Sequence, residues 1–221
     1  MYARPEYRTG SLDVQLDLIE RVRFGLVTVV LDGALKGAHL PFLLDRGPEH
    51  GPRGRLRAHL ATANPVTEAL RRGGEVMVAF LGAHAYLSPN DYASGPYFPT
   101  WDYEAAHVYG RPRMLDREGQ LQLLRDLIGR QESERLPEEP WALERMPRQR
   151  TEDFLTRISA FELPIDRIEA IGKFSQEKSA ADIQAQISAF RARGEGLPQE
   201  MADLIERYNP DKTAVSDERP S

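Results

Sequence analysis

The sequence has no cysteine in 221 residues. Disulfides and thiolate metal sites are therefore excluded, and a reducing compartment is the natural setting. It also lacks any apolar run near the roughly 20 residues that span a bilayer. The opening MYARPEYRTGSLD has no apolar signal segment, so we expect a cytoplasmic protein with no membrane partner. G-x-G-x-x-G and Walker A sequences are absent too. Positive charge is not in excess. With 29 Lys plus Arg against 34 Asp plus Glu and a net charge of −5, nothing draws the chain generally to nucleic acid. DNA binding is not expected, although arginines gather near positions 53–57 and 145–157. None of the five histidines stands in H-x-H or H-x-x-x-H spacing, so no metal site is expected. His39, His59, His84 and His107 sit in or beside predicted strands and read as partly buried, hydrogen-bonded imidazoles.

What is present is 41% hydrophobic residue content, enough for one sizeable core. Ser11 caps a predicted helix over 11–22, with Leu12, Leu16 and Ile19 on one face. Two strands follow, joined at Asp32-Gly33, a strong hairpin signal. A Gly/Pro-rich loop at 45–53 precedes a short strand, GRLRAHL, and a short helix with Asn64 as cap, Pro65 first and Gly73 past the end. Strands are predicted at about 75–88 and 98–109, and a helix capped by Asp116 runs to Gln131. Residues 131–139 read as a solvated linker and 148–157 as a short helix. ISAFELPIDRIEAIGKFS, 158–175, reads as one long strand region with Pro164 at a bulge or edge. Ser179 and Asp182 open a helix as a capping box, with Ile183, Ile187 and Phe190 on its apolar face. The expectation is a mainly β protein with flanking helices, α+β, forming a small antiparallel barrel. Residues 1–208 would make a single domain with inserted and C-terminal helices, and 209–221 a disordered tail.

Three clusters carry candidate chemistry. In HAYLSPNDY, period two sets His84, Tyr86 and Ser88 against Ala83, Ala85 and Leu87, so one face is a polar, partly enclosed wall. In TWDYEAAHVYG, Trp101, Tyr103, Ala105, His107 and Tyr109 share a face opposite Thr100, Asp102, Glu104 and Ala106. The aromatic face suits a planar ring, or it is barrel core or a dimer interface. In IGKFSQEKS, Lys173, Ser175 and Gln176 offer an ammonium, a hydroxyl and an amide suited to a phosphate, with helix amides near Ser179 adding to the field; otherwise this is a solvated strand end. Thr62 and Asn64 stand at a strand-to-helix junction, as an anion site or a cap.

Together, MY-x-x-P, AHLPFLLD, HLATANP, AHAYLSPNDY, FPTWDY with AAHVYG, and IGKFSQEKS appear in an order that resembles the PaiB-like family of FMN-binding negative transcriptional regulators, over about residues 1–205. The resemblance implies an FMN-binding split β-barrel similar to pyridoxamine-phosphate oxidases, paired as a homodimer with FMN at the interface. Carried over by motif, cofactor-binding residues would be Thr28, His39, Leu40, Pro41, His59, Asn64, Tyr86, Ser88, Trp101, Lys173, Ser175 and Gln176. Two departures stand out. The family commonly has Arg before the Asn of A-x-A-N-P, where this chain has Thr62-Ala63, and its S-Q-N-R appears as Ser175-Gln176-Glu177-Lys178. Whether the protein is an enzyme stays open here. The alternatives on the same fold are a flavin-dependent oxidoreductase, or a haem-binding split barrel with His39, His84 or His107 as axial ligand.

Overall fold

A computed structural model describes residues 1–8, 10–135 and 139–213. In chain order it has α1 (Leu12–Val22), β1 (Phe24–Leu31), β2 (Ala34–Pro41), β3 (Leu43–Asp45), β4 (Arg55–Ala61), α2 (Pro65–Arg71), β5 (Val76–Leu87), β6 (Thr100–Gly110) and β7 (Arg113–Met114). Then come α3 (Arg117–Glu132), α4 (Arg148–Leu155), β8 (Ile158–Pro164), β9 (Arg167–Lys173), α5 (Ala180–Ala192), α6 (Leu197–Tyr208) and α7 (Pro210–Thr213). The strands form a five-stranded sheet ordered β2-β1-β5-β6-β9 and a four-stranded sheet ordered β3-β4-β8-β7. This is the mixed α+β class expected. Among the described residues no helix is long and apolar enough to cross a membrane.

Local chemistry explains most boundaries. Asp32 (φ 51°) and Gly33 (φ 78°) are both left-handed, the turn that matches strand twist in a two-residue hairpin. β1 then pairs β2 antiparallel from Phe24–Pro41 to Leu31–Ala34. Asn64 caps α2 by accepting from the Val66 amide at 2.9 Å, Asp116 caps α3 through the Gly119 amide at 2.8 Å, and Ser179 caps α5 through the Asp182 amide at 3.2 Å.

The strand region 158–175 holds two strands, with Pro164 at the end of the first. β8 and β9 lie in different sheets. Pro164 has no amide to extend the ladder, and the chain turns as the Ile165 amide donates to Gly54 O (3.1 Å) and the Asp166 amide to Tyr109 O (3.0 Å). α6 supplies one of the expected C-terminal helices, though no side chain caps its start. Part of the expected disordered tail is α7, where the Lys212 ammonium donates to Gln176 O and Lys178 O at 2.6 and 2.8 Å. Residues 214–221, and 136–138 of the expected linker, lie outside the described residues.

The chain divides into two compact units, Met1–Gln15 with Leu81–Ala106 and Ala170–Ser221, and Leu16–Phe80 with His107–Glu169. In the first, Ala83, Ala85 and Leu87 pack with Phe174, Ile183, Ile187, Phe190, Met201 and Ile205. Burial alternates along β5 on even positions to Gly82, then on odd positions from Ala83. Two consecutive buried residues mark a bulge. Its cause is Glu104, which accepts from the Ala83 amide at 3.3 Å and fills the space a Gly82 side chain would need. In the second unit, Leu123 and Leu127 of α3 pack on Ala160 of β8. Phe42 meets Phe80 and Phe161 edge-on, at 5.5 and 6.3 Å between centroids.

Candidate functional site

The second unit holds a cleft of about 610 Å³ lined by Arg21, Arg23, Phe24, Pro41, His59 and Trp141 over Leu124 and Ile128 of α3. Arg23 is placed by an unusual helix end. Its φ of +56° is a left-handed conformation that costs a non-glycine residue about 1–2 kcal/mol. The turn is held as its amide donates to Ile19 O (2.9 Å) and its carbonyl accepts from the Phe42 amide (2.8 Å). Its guanidinium donates to both oxygens of Glu134, at 2.9 and 3.1 Å. His59 comes from β4, opposite Ala160 of β8. Burial pushes its pKa below the ordinary histidine value, so the ring is neutral at pH 7 and has one donor and one acceptor nitrogen. Its buried Nδ1 has no hydrogen-bond partner among the described residues. An unmade bond of that kind costs about 1–3 kcal/mol; a ligand edge could supply it.

The first unit holds a second cavity of about 480 Å³, with Arg4, Tyr7, Tyr92, Tyr97, Asp102, Lys173, Glu177 and Lys178 among its walls. Its floor is a closed polar network. Lys173 Nζ donates to Thr100 Oγ1 (2.6 Å) and Trp101 O (2.8 Å) and lies 3.5 Å from Asp102 Oδ1. Asp102 has no exposed surface; its Oδ2 accepts from Ser175 Oγ (2.8 Å) and Gln186 Nε2 (2.6 Å). Burial raises the Asp102 pKa, against the lowering effect of Lys173 and these hydrogen bonds. Oδ1 accepts no hydrogen bond among the described residues. Over the cavity, Tyr92 and Tyr97 approach at 4.4 Å between centroids, and Lys178 Nζ sits 3.9 Å above the Tyr97 ring. The segment carrying Tyr97 is tied down by buried Asp182, which accepts from Ser94 N and Oγ, Tyr97 OH and Ser179 Oγ. Burial alone would raise the Asp182 pKa, but those donors hold it at about 2.

These two sites gather only some of the expected residues. Pro41 and His59 share the first cleft; Lys173 and Ser175 share the second cavity. Gln176 closes on its own backbone, accepting from the Phe174 amide (2.7 Å) and donating to Gly172 O (2.6 Å). The Thr28 hydroxyl donates to Met77 O at 3.0 Å, Leu40 is core, and Asn64 is a cap rather than an open anion site. His39 stacks on Phe24 at 6.1 Å. Ser88 caps a short 3-10 turn together with Asp91. Tyr86 meets Trp101 edge-on at 5.9 Å, with His84 6.2 Å from Trp101; Trp101 is 53% exposed. On β6 the acidic face is the buried one, since Asp102 and Glu104 are inside and Trp101 is outside. Arg21, Arg23 and Trp141 were missed. Trp141 stands in a Pro- and Glu-rich stretch that hides it, and the Arg pair differs from other surface arginines only through the fold.

Residues 1–167 match the family described as "Putative FMN-binding domain". The chain is 26% identical over 206 residues to "Protease synthase and sporulation protein PAI 2" of Bacillus subtilis, covering 93% of this chain and 97% of that protein. Among solved structures it resembles the FAD and heme binding protein from Mycobacterium smegmatis, with TM-score 0.53 and 18% identity over 76% of this chain and 73% of that one. It also resembles a flavocytochrome from Azotobacter vinelandii, with TM-score 0.55 and 11% identity over 78% and 72%. Those likenesses show the fold alone, the expected split β-barrel.

Proposed function

The chain belongs to that FMN-binding family, FMN is the cofactor that membership gives it, and we propose on this premise that the flavin sits in the cleft of Arg23, His59 and Trp141. The observation that carries the reading is the orphaned, buried Nδ1 of His59 in a cleft that also holds two arginines and an indole. A neutral imidazole suits a polar edge of the flavin ring, Trp141 and Phe24 suit its faces, and Arg21 and Arg23 suit the phosphate. All of these residues fall within the matched 1–167 stretch. Lys173 and Ser175 fall outside it; carboxylates stand at both places, Asp102 and Glu177 beside Lys173 and Glu132 and Glu134 beside the arginines, so the matched stretch favours the cleft. Bound FMN would supply electron-transfer chemistry; the chain's part is to seat it and exclude water.

For the molecule as a whole we propose a negative transcriptional regulator of the PaiB-like kind that its motifs resemble, acting as a homodimer. Support for pairing is the exposed apolar surface of each unit. Leu81, Tyr86 and Trp101 are exposed in one, and Phe24, Val30 (64% exposed) and Leu35 (79% exposed) in the other. Exposed apolar side chains on sheet faces suit an interface, and a second copy would cover each face self-complementarily.

The test is FMN titration, followed by flavin fluorescence, of wild type and Arg23→Gly. Glycine suits the left-handed φ, so this variant removes the guanidinium while keeping the turn. Loss of one charge-assisted phosphate contact is expected to weaken FMN about ten- to a hundredfold. Equal affinity in a folded variant overturns the seat. Sustained oxidation of reduced nicotinamide by the flavin-loaded protein would move the reading to an oxidoreductase.

A further inference from the structure

We propose that the cavity of the first unit is a separate binding site for a small zwitterion, an α-amino acid with a flat apolar side chain. Charges of both signs face it, from Arg4, Lys173 and Lys178 and from Asp102 and Glu177. Both carboxylates are already matched within the walls, and Arg4 pairs with Glu6 at their edge at 3.7 Å. Lys173 lies 3.5 Å from Asp102, and Lys178 lies 3.5 Å from Glu177. A ligand of one sign meets like charge in such a place, whereas a molecule bearing an ammonium and a carboxylate side by side meets neither penalty.

The hydrogen bonding gives each end a place. Lys173 donates to Thr100 Oγ1 and Trp101 O, and its ammonium lies 3.5 Å from Asp102 Oδ1 without a hydrogen bond to it, so its charge is engaged inside the wall. The unsatisfied group is an acceptor, Asp102 Oδ1 on a side chain with no exposed surface, and buried acceptors demand a donor. The ammonium belongs there, beside Glu177. Lys178 and Arg4 are left to face the carboxylate. Lys178 now rests its ammonium on the Tyr97 ring at 3.9 Å, a contact it can exchange for a carboxylate without moving its backbone. Tyr92 and Tyr97, 4.4 Å apart, with Phe98 beside them, provide flat apolar surface for the side chain.

The walls are also preorganised. Asp182 anchors Ser94 and Tyr97, while Lys212 and Asn209 hold the carbonyls of Gln176, Lys178 and Phe174. A site whose walls are fixed before binding loses less entropy on filling.

The experiment is isothermal titration of the full chain with L-phenylalanine, phenethylamine and 3-phenylpropanoate, with the flavin spectrum read in the same samples. The expected result is binding of phenylalanine, with both analogues at least about tenfold weaker, as one lost charge-assisted contact requires. Glu177→Gln and Lys178→Met, both partly exposed, are expected to weaken phenylalanine about ten- to a hundredfold and leave FMN affinity unchanged. No heat with phenylalanine at millimolar concentration, equal binding of either analogue, or variants that bind as wild type would each overturn the proposal. A flavin that fails to bind while phenylalanine still binds would overturn the cleft assignment alone.

Discussion

Gly110, at the end of β6, has no room for a methyl group. A Cβ there would overlap Pro164 O and lie 3.0 Å from Leu163 Cδ1, and the first obstacle is backbone, which cannot swing aside. Gly110→Ala is expected to destabilise by about 1–3 kcal/mol, as overpacking does. A thermal melt superimposing on wild type would refute that. Asp45 carries a different dependence. Burial alone would raise its pKa, but Arg57 (Nε 2.6 Å, Nη2 2.7 Å) and Arg55 (Nε 2.8 Å) donate to its carboxylate and hold it below the ordinary range. A depressed carboxylate stabilises the fold above its unfolded pKa, and that contribution is lost as pH falls through the lower folded value. Asp45→Asn is therefore expected to cost about 1–3 kcal/mol at pH 7 and to flatten the acid limb of the stability curve. An unchanged acid limb in urea melts from pH 2 to 7 would refute it. The sequence shows Arg55 and Arg57 alternating with Leu56 and Ala58, which is legible as a strand. Their partners Asp45, Asp126 and Glu162 come from three other elements, and no local pattern announces such a meeting.

Elements with their own punctuation were legible. The Asp32-Gly33 hairpin, the Asn64-Pro65 helix start and the Asp116 and Ser179 caps each follow from a side chain acting on its own neighbourhood. What escaped depends on distant groups. The register change at Gly82–Ala83 exists because Glu104 of β6 occupies the space. The split of 158–173 exists because Gly54 and Tyr109 capture the turning amides. For the same reason two of the three expected phosphate ligands face inward, Ser175 to Asp102 and Gln176 to Gly172, since strand periodicity does not say which face another sheet or helix will cover. The end of the chain is the plainest case. A polar tail after Tyr208 looks dispensable, yet Asn209 Nδ2 donates to Phe174 O and Ile205 O at 2.9 and 2.8 Å, and Lys212 holds two further carbonyls. A chain ending at 208 is expected to be less stable than one ending at 213 by about 2–4 kcal/mol, counting roughly 1 kcal/mol for each bond lost. Identical urea midpoints for the two lengths would show that α7 is passive.

At the scale of the molecule, the surface bears on how the proposed regulator could act. Duplex binding is built from cations free to sit on phosphates, and six to ten such contacts are common. This chain is net acidic at −5, and several arginines in and around the segments that could have formed a basic groove are already paired. Arg55 and Arg57 are tied to Asp45, Glu162 and Asp126. Arg117 and Arg148 pair with Glu152, Arg125 with Glu144, and Arg145 with Glu139. Recruiting any of them to DNA means exchanging an existing ion pair, worth up to about 1 kcal/mol each where exposed, and that is set against the gain from counterion release. Dimerisation would not change this, because the exposed side chains that invite a second copy, Leu35 and Val30 of one unit and Trp101 of the other, are apolar, not basic. The two expectations can be checked on one sample. Light scattering at micromolar concentration should report twice the 25.0 kDa chain mass, and a monomer would remove the interface argument. Fluorescence anisotropy at physiological salt should then show no preference for the protein's own upstream DNA over a scrambled duplex. Tight, sequence-selective binding would mean that the paired arginines are released on contact, and direct repression would replace action through a bound small molecule or a protein partner.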